Sequence, residues 1–313
     1  MRVIVREPLM SAAEASRLSG TQPKPSQIKE VICAESGPVQ ATSPAGQSLF
    51  TYIPNCLPMD VCTAAYAPIV KMAKHMVAGG NRGTAAGVAM APQKLADGSD
   101  GKRMRVPQLR DMSEVDRERL QGAMHNVIGS LDRRPDIPRC RLTEYNAGHP
   151  LVQPCLPLFQ AMDAAFAQYE PDAHAFQKML AERTLPEYLL PGTTFTSATI
   201  NRNWPTSYHQ DAGDLPGGRG VLTAIRGGAF TGCLLTIVEY GIAVDFGTQD
   251  ILIGNTHGLW HGNTPIVGEP GTYERLAVVL YYRQNMHHCL GAEGELRFHR
   301  HRKLGDSLYP KPI

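Results

Sequence analysis

The pattern of apolar positions changes character near residue 190. Before that point apolar residues recur every three to four positions, which predicts helices at 11–18, 59–76, 113–131 and 156–185. The segment 113–131 begins Ser-Glu-Val-Asp, a capping pattern. Pro68 is expected to kink the second helix, and Glu170-Pro171 to break the last one in two.

After residue 191 glycines become frequent and short runs rich in β-branched residues follow one another. They predict six strands, at 194–200, 220–226, 233–238, 242–246, 251–254 and 276–283. Many short strands separated by turn residues are typical of a sandwich or jelly roll. We therefore expect an α+β fold with a double-stranded β-helix (jelly-roll) core and a helical N-terminal layer packed on it.

No linker divides the chain, so we expect a single domain over residues 1–313. Its predicted parts are a mainly helical segment at 1–190, the jelly-roll core at 191–290 and a basic tail at 291–313.

Composition narrows the class of protein without identifying it. The chain has 313 residues, 42% of them hydrophobic and 19% charged, which is an ordinary globular balance. It contains no run of eighteen apolar residues and no apolar stretch of signal-peptide length at its start, so we expect a cytoplasmic protein without a membrane span. The seven cysteines are scattered and form no Cys-x-x-Cys, which favours free thiols over a disulfide framework or a zinc ribbon.

Two histidines and an aspartate have the spacing of a metal site. His209 and Asp211 are separated by one residue, and in an extended segment residues i and i+2 point to the same side. His261 completes a set of two imidazoles and one carboxylate, the ligands of mononuclear non-haem Fe(II) centres. His257 is the alternative third ligand. We favour His261 because its distance from Arg275 suits a ligand on one strand and a basic residue on the adjacent strand.

Arg275 begins an otherwise apolar strand, where an unpaired guanidinium is costly to bury. One interpretation is a structural ion pair with Glu274 or Asp245. The other is a bidentate pairing with a dicarboxylate, which the planar guanidinium suits well. Beside an Fe(II) site the second interpretation indicates a 2-oxoglutarate-dependent dioxygenase, which would also consume O2.

Longer stretches around these residues resemble a known family. They are 201–214 (Asn-Arg-Asn-Trp-Pro-Thr-Ser-Tyr-His-Gln-Asp-Ala-Gly-Asp), 239–245, 260–265 (Trp-His-Gly-Asn-Thr-Pro) and 275–281, with Asn-Arg-Gly at 81–83 upstream. In this order they resemble the TET/JBP family of nucleic-acid base dioxygenases, particularly its phage-encoded members. If the chain is phage-encoded, its compartment would be the cytoplasm of the host cell.

The resemblance also implies roles for individual residues. Arg275 would pair the distal carboxylate of 2-oxoglutarate, and Arg82 would lie near its iron-chelating end. Tyr281 would stack on a flipped base. The remaining positions implied for substrate binding are Asn203, Asp214 and Arg283. Asp214 and Arg283 depart from the animal TET enzymes, which carry an asparagine and a histidine there, and Ala277 replaces a serine near the co-substrate.

The function implied is hydroxylation of the 5-methyl group of a pyrimidine in DNA. An Asp214 carboxylate can accept a hydrogen bond from the amino group of 5-methylcytosine, whereas thymine has a carbonyl at that position, so 5-methylcytosine is favoured. The alternatives are a thymine hydroxylase of the JBP type, a dioxygenase of a small molecule or free nucleotide, and a non-enzymatic barrel of the cupin kind. The basic clusters at 102–105 and 297–303 are candidates for phosphate contacts.

Overall fold

The computed structural model describes residues 1–75, 82–88, 91–94, 99–105, 111–120, 122–134 and 137–303. The α-helices in these ranges are α1 (Ala12–Ser16), α2 (Met59–Met72), α3 (Arg82–Ala86), α4 (Glu114–Leu120), α5 (Leu156–Tyr169), α6 (Pro171–Ala181) and α7 (Ala292–Lys303). The strands are β1 (Arg2–Val5), β2 (Glu30–Ile32), β3 (Val39–Thr42), β4 (Ser48–Ile53), β5 (Lys74–His75), β6 (Ala91–Lys94), β7 (Asp100–Arg105), β8 (Met124–Leu131), β9 (Arg141–Leu142), β10 (Ser197–Arg202), β11 (Gly220–Gly227), β12 (Thr231–Gly232), β13 (Leu235–Ile237), β14 (Ile242–Val244), β15 (Ile251–Gly254), β16 (His261–Asn263), β17 (Ile266–Val267) and β18 (Glu274–Tyr281).

Two facing sheets form the core. The larger sheet has the order β1-β3-β4-β15-β11-β18-β10-β8-β5, and the smaller has the order β16-β13-β14-β2. From β10 onward the chain passes repeatedly between them, with β11, β15 and β18 in the larger sheet and β13, β14 and β16 in the smaller. This alternation between two antiparallel layers is a jelly roll, so the predicted fold is confirmed.

Apolar side chains fill both sides of the larger sheet. One buried cluster lies between the two sheets and includes Phe50, Leu222 and Val244. The other lies between the larger sheet and helices α2 and α5, and it includes Ile69 and Phe159. The predicted helical layer is therefore present, and it covers the outer face of the larger sheet.

The four helices predicted from the sequence have different outcomes in the structure. Ser11 caps α1 by accepting a hydrogen bond from the Glu14 backbone, as its position suggests. Pro68 lies within α2, and residues 156–181 form two helices, α5 and α6, that meet at Glu170. The prediction of one helix over 113–131 is wrong, because α4 ends at Leu120 and residues 124–131 form β8.

The sheet environment explains the error at β8. Gly122 has φ of 79°, a left-handed conformation in which the helix does not continue. Beyond it, Met124 to Gly129 pair with β10 along six consecutive register positions, from Arg202 to Ser197. Hydrogen bonding to the edge of an existing sheet therefore decides the conformation of a segment whose apolar spacing also suits a helix.

The first 53 residues correct the prediction of a mainly helical N-terminal part. They supply β1 and β2, which pair in parallel with β3 and β14, and they supply β3 and β4, which extend the larger sheet beyond β15. These strands are short and separated by 3-10 turns, so apolar periodicity alone reveals them poorly.

A disulfide corrects the expectation that all cysteines are free. Cys140 and Cys289 are bonded, with a Cα–Cα distance of 5.8 Å, and Glu295 lies beside them. The other five cysteines are free thiols. The partners are 149 residues apart, so no local motif could indicate the pairing.

The predicted basic tail is partly a docked helix. Glu295 of α7 is 1% exposed and accepts hydrogen bonds from the backbone N–H groups of Cys140 and Leu290, at 2.8 and 2.9 Å. The Arg133 guanidinium lies over the Phe298 ring, 4.2 Å from its centroid. Residues 304–313 lie outside the described part. Among the described residues, no helix has both the length and the apolar character needed to span a bilayer.

Candidate active site

The two candidate histidine ligands lie side by side at the edge of the smaller sheet. His209 and His261 form an antiparallel bridge, in which the His209 N–H donates to the His261 carbonyl at 2.9 Å and the reverse bond measures 3.0 Å. Their ring centroids are 4.5 Å apart. The backbone pairing therefore brings together two imidazoles that are 52 positions apart in the chain.

Hydrogen bonds to the backbone orient both rings. The Nδ1 atom of His209 lies 2.8 Å from the Ser207 carbonyl oxygen, and Nδ1 of His261 lies 2.9 Å from the Leu259 carbonyl oxygen. A carbonyl can only accept, so Nδ1 carries the proton in each ring. The Nε2 lone pairs are left for a metal ion, the arrangement usual for ligating histidines.

Asp211 completes the cluster. Its carboxylate oxygens lie 3.7 Å from Nε2 of His209 and 3.5 Å from Nε2 of His261, and the three candidate ligand atoms all lie within 4.8 Å of one another. Among the described residues, the cluster takes His261 and not His257 as its third member. Burial lowers the pKa of His261, but hydrogen bonding and charge attraction from Asp211 outweigh it, so the pKa is raised overall. A cation between these groups would satisfy the same carboxylate, and the donor set suits iron with open positions.

Glu239 supports the strand that carries His261. Its side chain is buried, and its Oε1 accepts a hydrogen bond from the Trp260 backbone N–H at 2.8 Å. Burial raises the pKa of Glu239. In the sequence, Glu239 stands out only as the first residue of the segment 239–245, and its residue type and spacing indicate no role.

Arg275 lies at the start of β18, on the inner face of the larger sheet. Leu276, Val278 and Leu280 pack on the helix side. Because side chains alternate along a strand, Arg275 and Tyr281 point to the opposite, inner side. Arg275 is 6% exposed, and within the described part of the chain its guanidinium makes no hydrogen bond or ion pair.

Both acidic partners considered for Arg275 are engaged elsewhere. Glu274 pairs with Arg202 and accepts a hydrogen bond from the Tyr66 hydroxyl. Asp245 pairs with Arg226, with 2.6 Å between the two side-chain atoms. Neither carboxylate therefore pairs with Arg275, and a buried guanidinium is stabilised by an anion, which the described residues do not supply.

Asn203 contacts the backbone of Arg275 directly. Its Oδ1 accepts the Arg275 N–H at 2.8 Å, and its own N–H donates to the Arg275 carbonyl at 2.9 Å. Asn203 has φ of 48°, a left-handed conformation that asparagine tolerates better than most residues. This geometry indicates that Asn203 holds the end of β10 against β18, and its predicted contact with substrate stays a prediction.

Tyr281 lies at the other end of the inner face of β18 and is 5% exposed. Its hydroxyl accepts a hydrogen bond from Thr199 at 3.2 Å, which holds the tip of the side chain near β10. Ala277 lies between Arg275 and Tyr281, paired with Asn201 and Ala224. Arg275 and Tyr281 are six positions apart on the strand, so their Cα atoms are about 20 Å apart.

Asp214 and Arg283 lie beside Tyr281. They form an antiparallel bridge with each other, and the Arg283 Cζ atom is 5.7 Å from the Tyr281 ring centroid. Nε of Arg283 donates to Oδ1 of Asp132 at 2.6 Å. Asp132 was not among the residues predicted from the sequence, because its separation of 151 residues from Arg283 leaves no local signal for this contact.

Other predicted contacts lie at the limit of what is described. The backbone of Arg82 begins α3, but its side chain lies outside the described part, and so do the side chains at 102–105. In the second basic cluster, Arg297 is highly exposed and pairs with Glu293 at 2.8 Å. The proposed roles of Arg82 and of both clusters stay predictions.

Comparison with known proteins shows that this part of the chain is similar to a family of oxygenase domains. Residues 132–284 match the Tet_JBP family model, described as the oxygenase domain of the 2OGFeDO superfamily. The chain is 29% identical over 188 residues to the bifunctional helicase and thymine dioxygenase JBP2 of Trypanosoma brucei brucei and 34% identical over 181 residues to JBP2 of Leishmania infantum. These alignments cover 58% and 57% of this chain but only 17% and 16% of the relatives. It is also 31% identical over 195 residues to the thymine dioxygenase JBP1-A of Trypanosoma cruzi, covering 60% of this chain and 23% of that protein.

A solved structure has the same fold. The structure of NgTET1 in complex with 5mC DNA superimposes with a TM-score of 0.55, covering 87% of this chain and 90% of that one at 12% identity. The matched segment 132–284 contains the three candidate ligands, Arg275 and the residues around Tyr281. Residues 132–284, a little under half of the chain, are therefore similar to the Tet_JBP oxygenase domain of the 2OGFeDO superfamily.

Proposed function

We propose that this chain is an Fe(II)- and 2-oxoglutarate-dependent dioxygenase that hydroxylates the 5-methyl group of a pyrimidine base in DNA, with 5-methylcytosine as its preferred base. His209, Asp211 and His261 would hold the iron, and Arg275 would bind the distal carboxylate of 2-oxoglutarate. Further oxidation of the hydroxymethyl product is compatible with the same site.

The observation that carries the proposal is the buried guanidinium of Arg275. It is 6% exposed and has no anionic partner in the described part of the chain, while its acidic neighbours are paired with other arginines. A buried cation of this kind is stabilised by a carboxylate ligand, and the planar fork of arginine matches a carboxylate in two hydrogen bonds. A dicarboxylate that also reaches a metal ion has the chemistry of 2-oxoglutarate.

Iron with 2-oxoglutarate supplies the oxidising chemistry, in which one oxygen atom of O2 enters the methyl C–H bond and the other enters succinate, with loss of CO2. The protein's own residues bind and orient the reactants. The Nδ1 hydrogen bonds keep both imidazoles in the ligating tautomer. Arg275 neutralises the carboxylate of the co-substrate, and Tyr281 offers a ring face to the base.

A base inside a duplex must leave the stack to reach this site, at a cost of a few kcal/mol. Stacking on an aromatic ring offsets ~1–3 kcal/mol of that cost. The Thr199 hydrogen bond anchors the hydroxyl end of Tyr281, so that the side chain keeps its place on the inner face of β18. The name of the solved neighbour, a complex with 5mC DNA, supports DNA as the substrate class.

Thymine is the second candidate base, because the JBP1 and JBP2 relatives are named thymine dioxygenases. Asp214 favours 5-methylcytosine, since a carboxylate accepts from an amino group and is repelled by a carbonyl oxygen. A small-molecule dioxygenase would have the same iron site and would differ in turning over free nucleotides. A non-enzymatic cupin-like protein would form no succinate.

One assay separates these functions. The protein is incubated with Fe(II), 2-oxoglutarate and duplex DNA that carries 5-methylcytosine or thymine at a single site, and the nucleosides are analysed by mass spectrometry. We expect 5-hydroxymethylcytosine and succinate in equal amounts, and neither product from Asp211→Ala. Hydroxymethyluracil without hydroxymethylcytosine would refute the preferred base, and turnover of free 5-methyl-dCMP at a comparable rate would refute DNA as the substrate.

The binding role of Arg275 has its own matched variant. Arg275→Lys keeps the charge but loses the bidentate fork, so we expect KM for 2-oxoglutarate to rise about 10- to 100-fold. Arg226→Lys is the control, because Arg226 is the register partner of Arg275 on β11 and its charge is already paired with Asp245. Equal KM values for the two variants would contradict the role of Arg275.

A further inference from the structure

Arg283 is a buried cation whose guanidinium hydrogen-bonds to the described protein through Nε. Its side chain is 7% exposed, its Nε donates to Asp132, and its backbone N–H donates to Thr196 Oγ1 at 3.0 Å. Among the described residues, neither Nη atom donates a hydrogen bond to the protein. The capacity of Arg283 to donate hydrogen bonds is therefore not used up by the described part of the chain.

Asp132 is the acidic partner of Arg283. It is 1% exposed, its Oδ1 lies 2.6 Å from Nε of Arg283, and Nδ2 of Asn285 lies 3.4 Å from its Oδ2. Its neighbour Arg133 has a different function, since it lies against Glu295 and Phe298 of α7. A carboxylate this deeply buried needs a counterion, and Arg283 is the cation that supplies it.

The free Nη pair lies between the Tyr281 ring and the loop that follows Asp211. A Cβ atom added to Gly213 would lie 3.4 Å from Nη2 of Arg283, so this loop runs close to the guanidinium. Burial lowers the pKa of Arg283, but Tyr281, Asp132 and Asp214 outweigh it and raise the pKa overall, so the guanidinium stays charged. The Arg283 guanidinium therefore lies beside the Tyr281 ring, and the backbone of Asp214 is bridged to that of Arg283.

We propose that Asp132 is a positioning residue that holds Arg283 by its Nε, so that both Nη atoms face the N3 and O2 acceptors of a flipped 5-methylcytosine. The inference rests on the proposed function. The fork of a guanidinium matches two adjacent acceptors, as it does in a carboxylate. Cytosine presents N3 and O2 in this way, with its amino group left for Asp214, whereas thymine places an N3–H donor between its carbonyl groups.

The test compares Asp132→Asn, Arg283→Lys and the double variant on duplex DNA with 5-methylcytosine or thymine. Asp132→Asn keeps the shape and removes the charge, so we expect KM for methylcytosine DNA to rise about 10- to 100-fold and the preference for methylcytosine over thymine to shrink. KM for 2-oxoglutarate should change less than about twofold, because Arg275 binds at the far end of β18. In the Arg283→Lys background the Asp132 substitution should add little.

Glu170→Gln is the matched control for loss of a buried charge pair. Glu170 lies 2.6 Å from Nε of Arg219 and its side chain is 5% exposed, which reproduces the Asp132–Arg283 geometry with a different arginine. The thermal unfolding temperature of Glu170→Gln should fall about as much as that of Asp132→Asn, and the base preference of Glu170→Gln should match that of the wild type.

Three outcomes would overturn the inference. In the first, the rise in KM for methylcytosine DNA caused by Asp132→Asn adds to the rise caused by Arg283→Lys, or the base preference of Asp132→Asn equals that of the Glu170→Gln control. Another is a wild type that prefers thymine, which removes the assigned acceptor edge. The last is a wild type that forms succinate but oxidises neither base, which refutes the proposed function and this inference together.

Discussion

His209 and His261 exchange two backbone hydrogen bonds, at 2.9 and 3.0 Å, and their rings lie with centroids 4.5 Å apart. The separation of the two candidate metal ligands is thus set by the distance between two strands. Because a bridged pair has nearly invariant backbone spacing, the ligand geometry is preorganised before any metal ion binds.

Gly262 is needed for this close approach. A Cβ atom there would lie 2.9 Å from the Ser207 carbonyl carbon and 2.9 Å from the Thr206 oxygen, both backbone atoms that cannot move aside alone. We expect Gly262→Ala to separate the strands and weaken metal binding about 10- to 100-fold. Titration with Co(II), followed by visible absorption, measures the affinity.

Gly227→Ala is the control, because a Cβ atom at that position meets no atom within 4 Å. Its metal affinity should equal that of the wild type. Unchanged affinity in Gly262→Ala would show that the two strands tolerate a wider separation.

Metal binding should stabilise the fold through Asp211. The carboxylate lies within 3.7 Å of both Nε2 atoms, and a cation bound there favours the native state by mass action. At a hundredfold excess of Mn(II) over its Kd the gain is about 2.7 kcal/mol, and EDTA should reverse it. Differential scanning calorimetry measures the shift.

Asp211→Ala should abolish this metal-dependent shift, and Asp245→Ala should retain it. Asp245 is a carboxylate outside the ligand cluster, and it pairs with Arg226. A metal-dependent shift that persists in Asp211→Ala would place the metal elsewhere.

Asn203 should influence co-substrate binding through the backbone of Arg275. Asn203→Gly accepts the left-handed conformation but removes the Oδ1 acceptor of the Arg275 N–H. We expect KM for 2-oxoglutarate to rise several-fold, corresponding to about 1 kcal/mol for one hydrogen bond, with little loss of stability. Steady-state kinetics with varied 2-oxoglutarate tests this.

The matched control is Gln249→Gly. Gln249 also has positive φ, at 77°, and its side chain donates to the Leu57 carbonyl far from the site. The prediction fails if both glycine variants have the same KM for 2-oxoglutarate.

The disulfide should stabilise the attachment of α7. Cys140 and Cys289 join the segment after Asp132 to the segment after Arg283, in parallel with the Glu295 hydrogen bonds. Cys140→Ser with Cys289→Ser should reduce the free energy of unfolding by about 2–5 kcal/mol, as for other native disulfides. Urea unfolding with and without dithiothreitol measures it, and Cys33→Ser, which removes a free thiol, should have no comparable effect.

Local spacing predicted one part of the cluster that the fold brings together, namely the pair His209 and Asp211. His209 and Asp211 are two residues apart, and the alternation of an extended segment directs both side chains to one side. The strand at Ile251–Gly254 was predicted with the bounds that it has, and β11 with an end differing by one residue, because short β-branched runs between glycines have few alternatives. The segment 124–131 was assigned wrongly because its apolar spacing suits a helix as well as a strand, and pairing with β10 decided between them.

The sequence by itself determined the chemical character of this protein: two imidazoles, one carboxylate and a basic residue at the start of an apolar strand, inside a β-rich segment. Only the tertiary structure decided which groups meet. It chose His261 over His257, left Arg275 without an acidic partner in the described part of the chain, and joined Asp132 to Arg283 across 151 residues. The physical reason is that periodicity and residue type act over a few neighbouring positions, whereas the partners of a buried charge are selected by the packing of distant strands.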